Sequence, residues 1–232
     1  MSIAVIIPVF NEKDTLPSLL NELLPLGFED IILVDGGSQD RTVEAVNTFL
    51  KATPHCHCRM MAAPKGRARQ MNAGAAEATA DLLLFLHADT HLPHNAKSLI
   101  EQAMKNSEYV GGRFDVRFPS DEGYAWVVSR MMNYRSRFSG ICTGDQALFV
   151  RRAVFESMGG FADIPLMEDI EFSQRLKQKG TVVALEETVT TSFRRWEQQG
   201  PLRTILQMWV IRFLYWMGWS PHRLHRYYHH VR

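Results

Sequence analysis

His87-Ala88-Asp89 closes a run of five large apolar residues, LLLFL, at positions 82–86. A run that short between polar neighbours suits a strand buried on both faces of a parallel sheet. An imidazole and a carboxylate two residues apart then sit at its carboxyl end. Asp89 is a natural ligand for a hard divalent cation, which binds through oxygen and shares its shell with substrate phosphates. His87 reads either as a minor second ligand or as a structural hydrogen-bonding group. Two further segments, PVFNE at 8–12 and DGGSQD at 35–40, follow apolar runs of the same kind. Ligands in open parallel sheets gather outside the carboxyl ends of the strands, so all three segments converge on one edge. Asp35 can accept hydrogen bonds from a base ring or ribose, and Gly36 and Gly37 let the backbone approach a ligand closely; the same residues also make an ordinary turn. Lys65, Arg67 and Arg69 open a predicted helix, where cations and free N–H groups favour an anion. Carboxylate, metal and arginine together describe a site for a nucleoside diphosphate.

These groups need a scaffold that repeats strand and helix. Ile3–Val9, Asp30–Asp35, Arg59–Ala63 and Leu82–Leu86 read as strands, and Asp14–Leu24, Asp40–Leu50 and Arg67–Thr79 as the helices between them, with Asp40 as an N-cap. That alternation predicts an α/β fold, a mostly parallel sheet with right-handed crossovers. After Pro93 the rhythm changes. Val110–Phe118 alternates like a half-exposed strand, Tyr124–Phe138 and Glu168–Lys179 read as helices, and Ala147–Arg151 and Thr181–Leu185 as short strands.

The chain has 232 residues, 46% hydrophobic and 22% charged, enough for one sizeable α/β domain. Its three cysteines argue against a disulfide framework and for a reducing, cytoplasmic setting. The N-terminus lacks the basic start and cleavage site of a secretory signal. The PHCHC stretch at 54–58 tempts as a zinc site, but in a strand its side chains alternate between faces and no second ligand pair follows. Net charge is +1, yet residues 194–232 carry seven arginines against one acid, while residues 1–193 hold 19 bases against 24 acids. No nucleic acid is expected as a partner. The tail, 201–232, reads as an amphipathic helical segment around Thr204–Trp219. Its tryptophans and arginines suit either a membrane interface, as a peripheral contact on the inner face, or packing on the domain or on a second subunit as a homodimer.

Taken in order, IIPVFNE, ILVDGGSQDRT, GRARQMNAGAAEATADLLLFLHADT and GGFADIPLMEDIEFSQRLKQKG make residues 1–200 resemble the family-2 glycosyltransferases of GT-A (Rossmann-like) fold. TGDQALFVRR, SFRRWEQQG and the tail are further similar to a small bacterial subgroup labelled arsenosugar-biosynthesis glycosyltransferases. The resemblance implies a nucleotide-binding half, 1–91, and an acceptor and catalytic half, 92–200. It implies a nucleotide-diphospho-sugar donor, UDP-linked in preference to GDP-linked, and an inverting, hexosyltransferase-type transfer to an acceptor hydroxyl on a lipid-linked molecule or a small alcohol.

Residue by residue, the resemblance puts Pro8, Phe10, Glu12, Asp35 and Gly36 on the nucleotide and Arg67 near its phosphates. The family's Asp-x-Asp metal motif falls on His87-Ala88-Asp89, so Asp89, with His87 in place of the first aspartate, would hold Mg²⁺ or Mn²⁺. Its catalytic base falls on Asp169, with Glu168 beside it; a carboxylate at a helix start is also favoured by the macrodipole alone. Asp145 and Gln146 would meet donor sugar or acceptor. Arg194, Arg195 and Trp196 partly match a motif that meets diphosphate and acceptor, or else the arginines are solvated or on lipid phosphate. Two rivals share parts of this pattern: a sugar nucleotidyltransferase, which needs a glycine-rich basic loop where PVFNE stands, and a non-catalytic nucleotide- or membrane-binding module.

Overall fold

In the computed structural model, residues 1–120, 122–193 and 200–229 are described. Four parallel strands form the first half of the sheet: β1 (Ile3–Val9), β2 (Asp30–Asp35), β3 (Cys58–Ala62) and β4 (Leu82–Phe85). With β5 (Thr90–His91), β6 (Tyr109–Arg117), β7 (Leu148–Arg151) and β8 (Thr181–Thr191) they make eight strands in the order β3-β2-β1-β4-β7-β6-β8-β5. β7 runs antiparallel between β4 and β6, and β5 antiparallel to β8, so the sheet is mixed rather than wholly parallel.

Strand alternation sorts the apolar side chains onto two faces. Ile3, Val5 and Ile7 pack with Leu16, Leu19, Leu20 and Leu23 of α1 (Leu16–Leu23). Ala4 and Ile6 face the other way, onto Ala68, Met71 and Ala75 of α3 (Arg67–Glu77). Small residues let α3 lie close: a Cβ on Gly74 would meet Ile6 at 2.6 Å. The remaining helices are α2 (Thr42–Ala52), α4 (Ala96–Ala103), α5 (Gly123–Ser139), α6 (Arg152–Ser157), α7 (Glu168–Lys179), α8 (Pro201–Trp216) and α9 (Pro221–His229).

Several expectations need correction. α2 starts at Thr42 with Arg41 as the N-cap, at φ 69°; Asp40 stands one residue too early, yet its carboxylate still accepts the Thr42 N–H at 3.0 Å. β6 is not half-exposed. It lies between β7 and β8 with Val110–Val116 buried, and its polar residues Arg113 and Asp115 satisfy each other at 3.1 Å. β8 runs on to Thr191 because a bulge opposite Arg113–Asp115 pushes the exposed Glu186 and Glu187 out before pairing resumes at Thr188. α4, α6 and the two-residue β5 have too short or too mixed a pattern to be read from sequence.

The tail is two helices. Ile211 of α8 and Leu224 of α9 pack on Met167 and Ile170 at the start of α7, so this segment docks on the domain. Leu206, Trp209, Phe213 and Trp216 stay exposed on the outer side of α8. Among the described residues, no helix is long and apolar enough to cross a membrane.

At Gly111 of β6 a Cβ would stand 2.5 Å from the Phe149 carbonyl oxygen of β7. Backbone cannot move aside as a side chain can. Gly111→Ala is expected to lower stability by about 1–3 kcal/mol, read as a shifted urea midpoint.

Candidate active site

The parallel strands deliver their loops to one edge, and those loops are tied to one another. After β1, the Asn11 N–H donates to Ser38 Oγ at 2.9 Å, and its side-chain oxygen accepts the Gln39 N–H at 2.8 Å. The Glu12 N–H donates to Thr42 Oγ1 at 3.0 Å. Asp35 ends β2 almost buried and accepts the N–H groups of Gly37 (2.9 Å) and Ser38 (3.2 Å), so its carboxylate shapes its own loop first. Pro8, Phe10 and Glu12 are half-buried along this edge. Lys65 lies with Nζ 3.7 Å above the Phe10 ring, a cation against an aromatic face.

Gln70 holds this arrangement together, and no sequence motif pointed to it. Its Nε2 donates to the carbonyls of Val9 (2.8 Å) and Val34 (2.7 Å), at the ends of β1 and β2, from a side chain 4% exposed. The Gly66 N–H reaches its Oε1 at 3.4 Å. Its amide also fills the space a Gly36 Cβ would need, at 3.0 Å. The available hint was a polar residue beside Met71 and Gly74 on the sheet-facing stripe of α3.

The second half of the site stands at the start of α7. Glu168, 3% exposed, receives Arg67 Nη1 at 3.3 Å from across the sheet edge. Asp169 Oδ2 accepts the Gly144 N–H at 3.0 Å, and Oδ1 accepts the Ile170 N–H at 2.8 Å. Burial, then the neighbouring Glu168 charge, push the Asp169 carboxyl up to about 6; Arg67 and the two N–H groups oppose that rise. Met167, just before, has φ 71°, a strained value for a residue with a side chain, held by its packing on Ile211 and Leu224. Arg69 turns elsewhere, to Asp163 at 2.7 Å.

The strand ends at Phe85, and the Thr90 N–H bonds back to the His87 carbonyl at 3.1 Å, so residues 87–89 form a turn rather than extended strand. His87 Nδ1 lies 3.2 Å from Asp145 Oδ1. Its Nε2 is buried without a hydrogen-bond partner among the described residues, and the ring lies so near Gly144 that a Cβ there would be 2.3 Å away. Asp89 is half-buried at the turn. Among the described residues no three His, Cys, Asp or Glu side chains cluster to cage a metal. Mg²⁺ and Mn²⁺ take one or two carboxylates and keep water and phosphate oxygens for the rest, and the half-buried Asp89 is an oxygen donor of that kind at the turn.

Gln146 is corrected from a ligand contact to a structural one. It is fully buried; its Oε1 accepts from Ser136 and the Thr143 N–H, and its Nε2 reaches the Phe114 carbonyl. It therefore shapes the Thr143–Gln146 loop that carries Gly144 and Asp145. Arg194, Arg195 and Trp196 lie outside the described residues. In the PHCHC stretch, burial and the nearby Cys56 and Asp30 raise the Cys58 thiol to about 12.

Residues 4–158 match the family described as Glycosyl transferase family 2. A PGL/p-HBAD biosynthesis glycosyltransferase of Mycobacterium bovis is 32% identical over 173 residues, 68% of this chain and 62% of the relative. An undecaprenyl-phosphate 4-deoxy-4-formamido-L-arabinose transferase of Pseudomonas paraeruginosa is 30% identical over 67% of this chain and 49% of its own length. Among solved structures, S. aureus TarS 1–349 in complex with UDP superposes with TM-score 0.64 at 18% identity, over 83% of this chain and 60% of that one. The mannosyltransferase PcManGT of Pyrobaculum calidifontis, in complex with GDP-Man and Mn²⁺, gives 0.63 at 15% identity, over 81% and 56%. The sheet and its helices are thus of the GT-A kind. This chain spans about half to three-fifths of the length of these relatives.

Losing the Gln70 amide would remove two buried hydrogen bonds, one to the end of each strand. Gln70→Met is expected to cost about 2 kcal/mol in denaturant titration and to speed amide exchange at Asn11 and Gly37, where the two loops begin.

Proposed function

The chain belongs to glycosyl transferase family 2, and on that premise we propose that it transfers a sugar from a nucleotide-diphospho-sugar to an acceptor hydroxyl with inversion at the anomeric carbon. The observation that carries this reading is Asp169, raised to about 6 and anchored by Gly144 at the open edge of the sheet, beside the Arg67–Glu168 pair. A carboxylate of that strength is ionised at neutral pH and still basic enough to take a proton from an attacking hydroxyl. Glu168 plays a different part. Bound to Arg67 and almost buried, it fixes the arginine and strengthens the basicity of its neighbour.

On the donor side, Pro8, Phe10 and Glu12 line the base, Asp35 hydrogen-bonds its ring, and the backbone at Gly36 lies close. Arg67 turns toward the diphosphate. The UDP and GDP-Man complexes of the fold neighbours support a nucleotide donor, and UDP is the preferred one. A bound Mg²⁺ or Mn²⁺ would neutralise charge on the departing diphosphate, and Asp89 is the residue that would hold it. His87, fastened to Asp145 and packed on Gly144, positions the loop that anchors Asp169. Arg194, Arg195 and Trp196 are assigned to diphosphate and acceptor through the family motif alone.

For the acceptor, the undecaprenyl-phosphate named for one relative supports a lipid-linked molecule. The exposed Trp209, Phe213 and Trp216 of α8 support a peripheral membrane contact through the tail. The narrower kinship with arsenosugar-type transferases rests on the TGDQALFVRR and tail segments.

Three measurements test this function. In calorimetry, UDP binds in a Mn²⁺-dependent way and more tightly than GDP, and Asp89→Ala removes the metal dependence; no binding of either nucleotide would overturn the reading. Asp169→Asn lowers kcat roughly 100- to 10,000-fold with UDP affinity kept. Because Asp169 works only when ionised, the wild-type rate rises with pH through about 6 and levels off above it; an acid limb near the ordinary carboxylate value of about 4 would count against Asp169 as the base.

A further inference from the structure

A second cavity, of about 650 Å³, opens between α5, α7 and the C-terminal helices, with Ile170 in its wall. Its volume is that of a small-molecule site. Arg135 of α5 and Arg212 of α8 both line it. Among the described residues, Arg135 Nε and Nη2 and Arg212 Nε are buried with no hydrogen-bond partner. Guanidinium donors buried without an acceptor are costly and rare unless something binds them.

The cavity's carboxylate does not serve them. Glu171 faces the same space, but both its oxygens are taken by Arg175, at 2.6 and 2.7 Å. Burial works against the Arg135 charge, and the Asp169 carboxylate acts in its favour, which places the guanidinium within the field of the proposed base. The rest of the lining is mixed, with Ile141, Ile164, Ile170 and Tyr215 beside the polar Ser139, Gln174 and Ser220. Two forked cations in a partly apolar chamber suit one ligand chemistry: a phosphate-type oxyanion carried on an apolar body.

We propose that this cavity binds the acceptor by such an anionic group, Arg135 and Arg212 holding the oxyanion while the acceptor's hydroxyl reaches Asp169. The assignment as acceptor rests on the function proposed above; the anion site itself does not. Phosphate chemistry fits two sources, a lipid headgroup and a small water-soluble phosphate ester, and both take the same residues.

The test uses the full chain without nucleotide and titrates three probes by calorimetry: octyl phosphate, neutral octyl glucoside and inorganic phosphate. Octyl phosphate is expected to bind at least about tenfold more tightly than octyl glucoside. Arg135→Met and Arg212→Met should each remove that preference, while Arg135→Lys keeps part of it. Inorganic phosphate binding nearly as well as octyl phosphate would identify a soluble ester as the source; weak binding of it would identify a lipid headgroup. Equal binding of octyl phosphate and octyl glucoside overturns the proposal, as does a preference unchanged in Arg135→Met.

Folding is controlled by the melting temperature. Relief of an unpartnered buried charge predicts that Arg135→Met melts no lower than wild type, and a large fall would make Arg135 a structural residue and sink the idea. UDP affinity, measured in parallel, should be unchanged in Arg135→Met; a matching loss there would place Arg135 on the donor side instead. A protein that binds octyl phosphate but not UDP would keep this site and discard the donor reading.

Discussion

Two adjacent carboxylates at the start of one helix have to coexist in a nearly dry place, and the site is organised around that constraint. The Glu168 charge and burial both act against ionisation of Asp169. A cation from the opposite half of the sheet, Arg67, meets Glu168, while the Gly144 and Ile170 N–H groups meet Asp169. The Arg67 side chain is 46% exposed, so this pair is worth less than the roughly 3–5 kcal/mol lost on breaking a fully buried one. The compensation is therefore incomplete, and the residue left under-compensated is Asp169. Incomplete neutralisation is what makes a carboxylate a useful base.

The same contacts join two halves of the molecule. Arg67 opens α3 in the first half of the chain; Glu168 opens α7 in the second. Gly144 comes from a loop that is itself shaped by the buried Gln146 and capped against α5 through Ser136. His87 closes the circle from the end of β4, packed on Gly144 and bonded to Asp145. Arg67 and His87 each reach Asp169 through one intervening residue, Glu168 and Gly144. Ser173 adds a rivet from α7, exchanging hydrogen bonds with the Cys142 backbone.

Beyond Asp169 the helix turns toward the tail. Met167 accepts a left-handed backbone because Ile211 and Leu224 hold its side chain in place. The C-terminal helices thus support the strained turn that presents the two acids, and they also wall the cavity with unpartnered guanidiniums. One arginine of the basic tail, Arg212, joins Arg135 of α5 in that cavity's wall.

Much of this was legible in the chain itself. Apolar runs ending in PVFNE, DGGSQD and HAD identified the first, second and fourth strands and the edge they share, because burial on both faces leaves no polar residue until a strand ends. Glu168–Lys179 was readable as a helix with its acids at the start, since period and macrodipole are local properties. What only the tertiary structure decided depends on partners distant in sequence. β6 looked half-exposed because Arg113 and Asp115 are polar, yet they are buried against each other; β8 outran its pattern because pairing resumes past a bulge. Gln70 is one polar residue on a helix until the ends of two strands arrive beneath it, and Gln146 looks like a ligand contact until its amide is seen to be enclosed. Hydrogen-bond satisfaction and charge compensation act through space over a few ångströms, and residues as far apart as Arg67 and Glu168 acquire those neighbours only when the chain has folded.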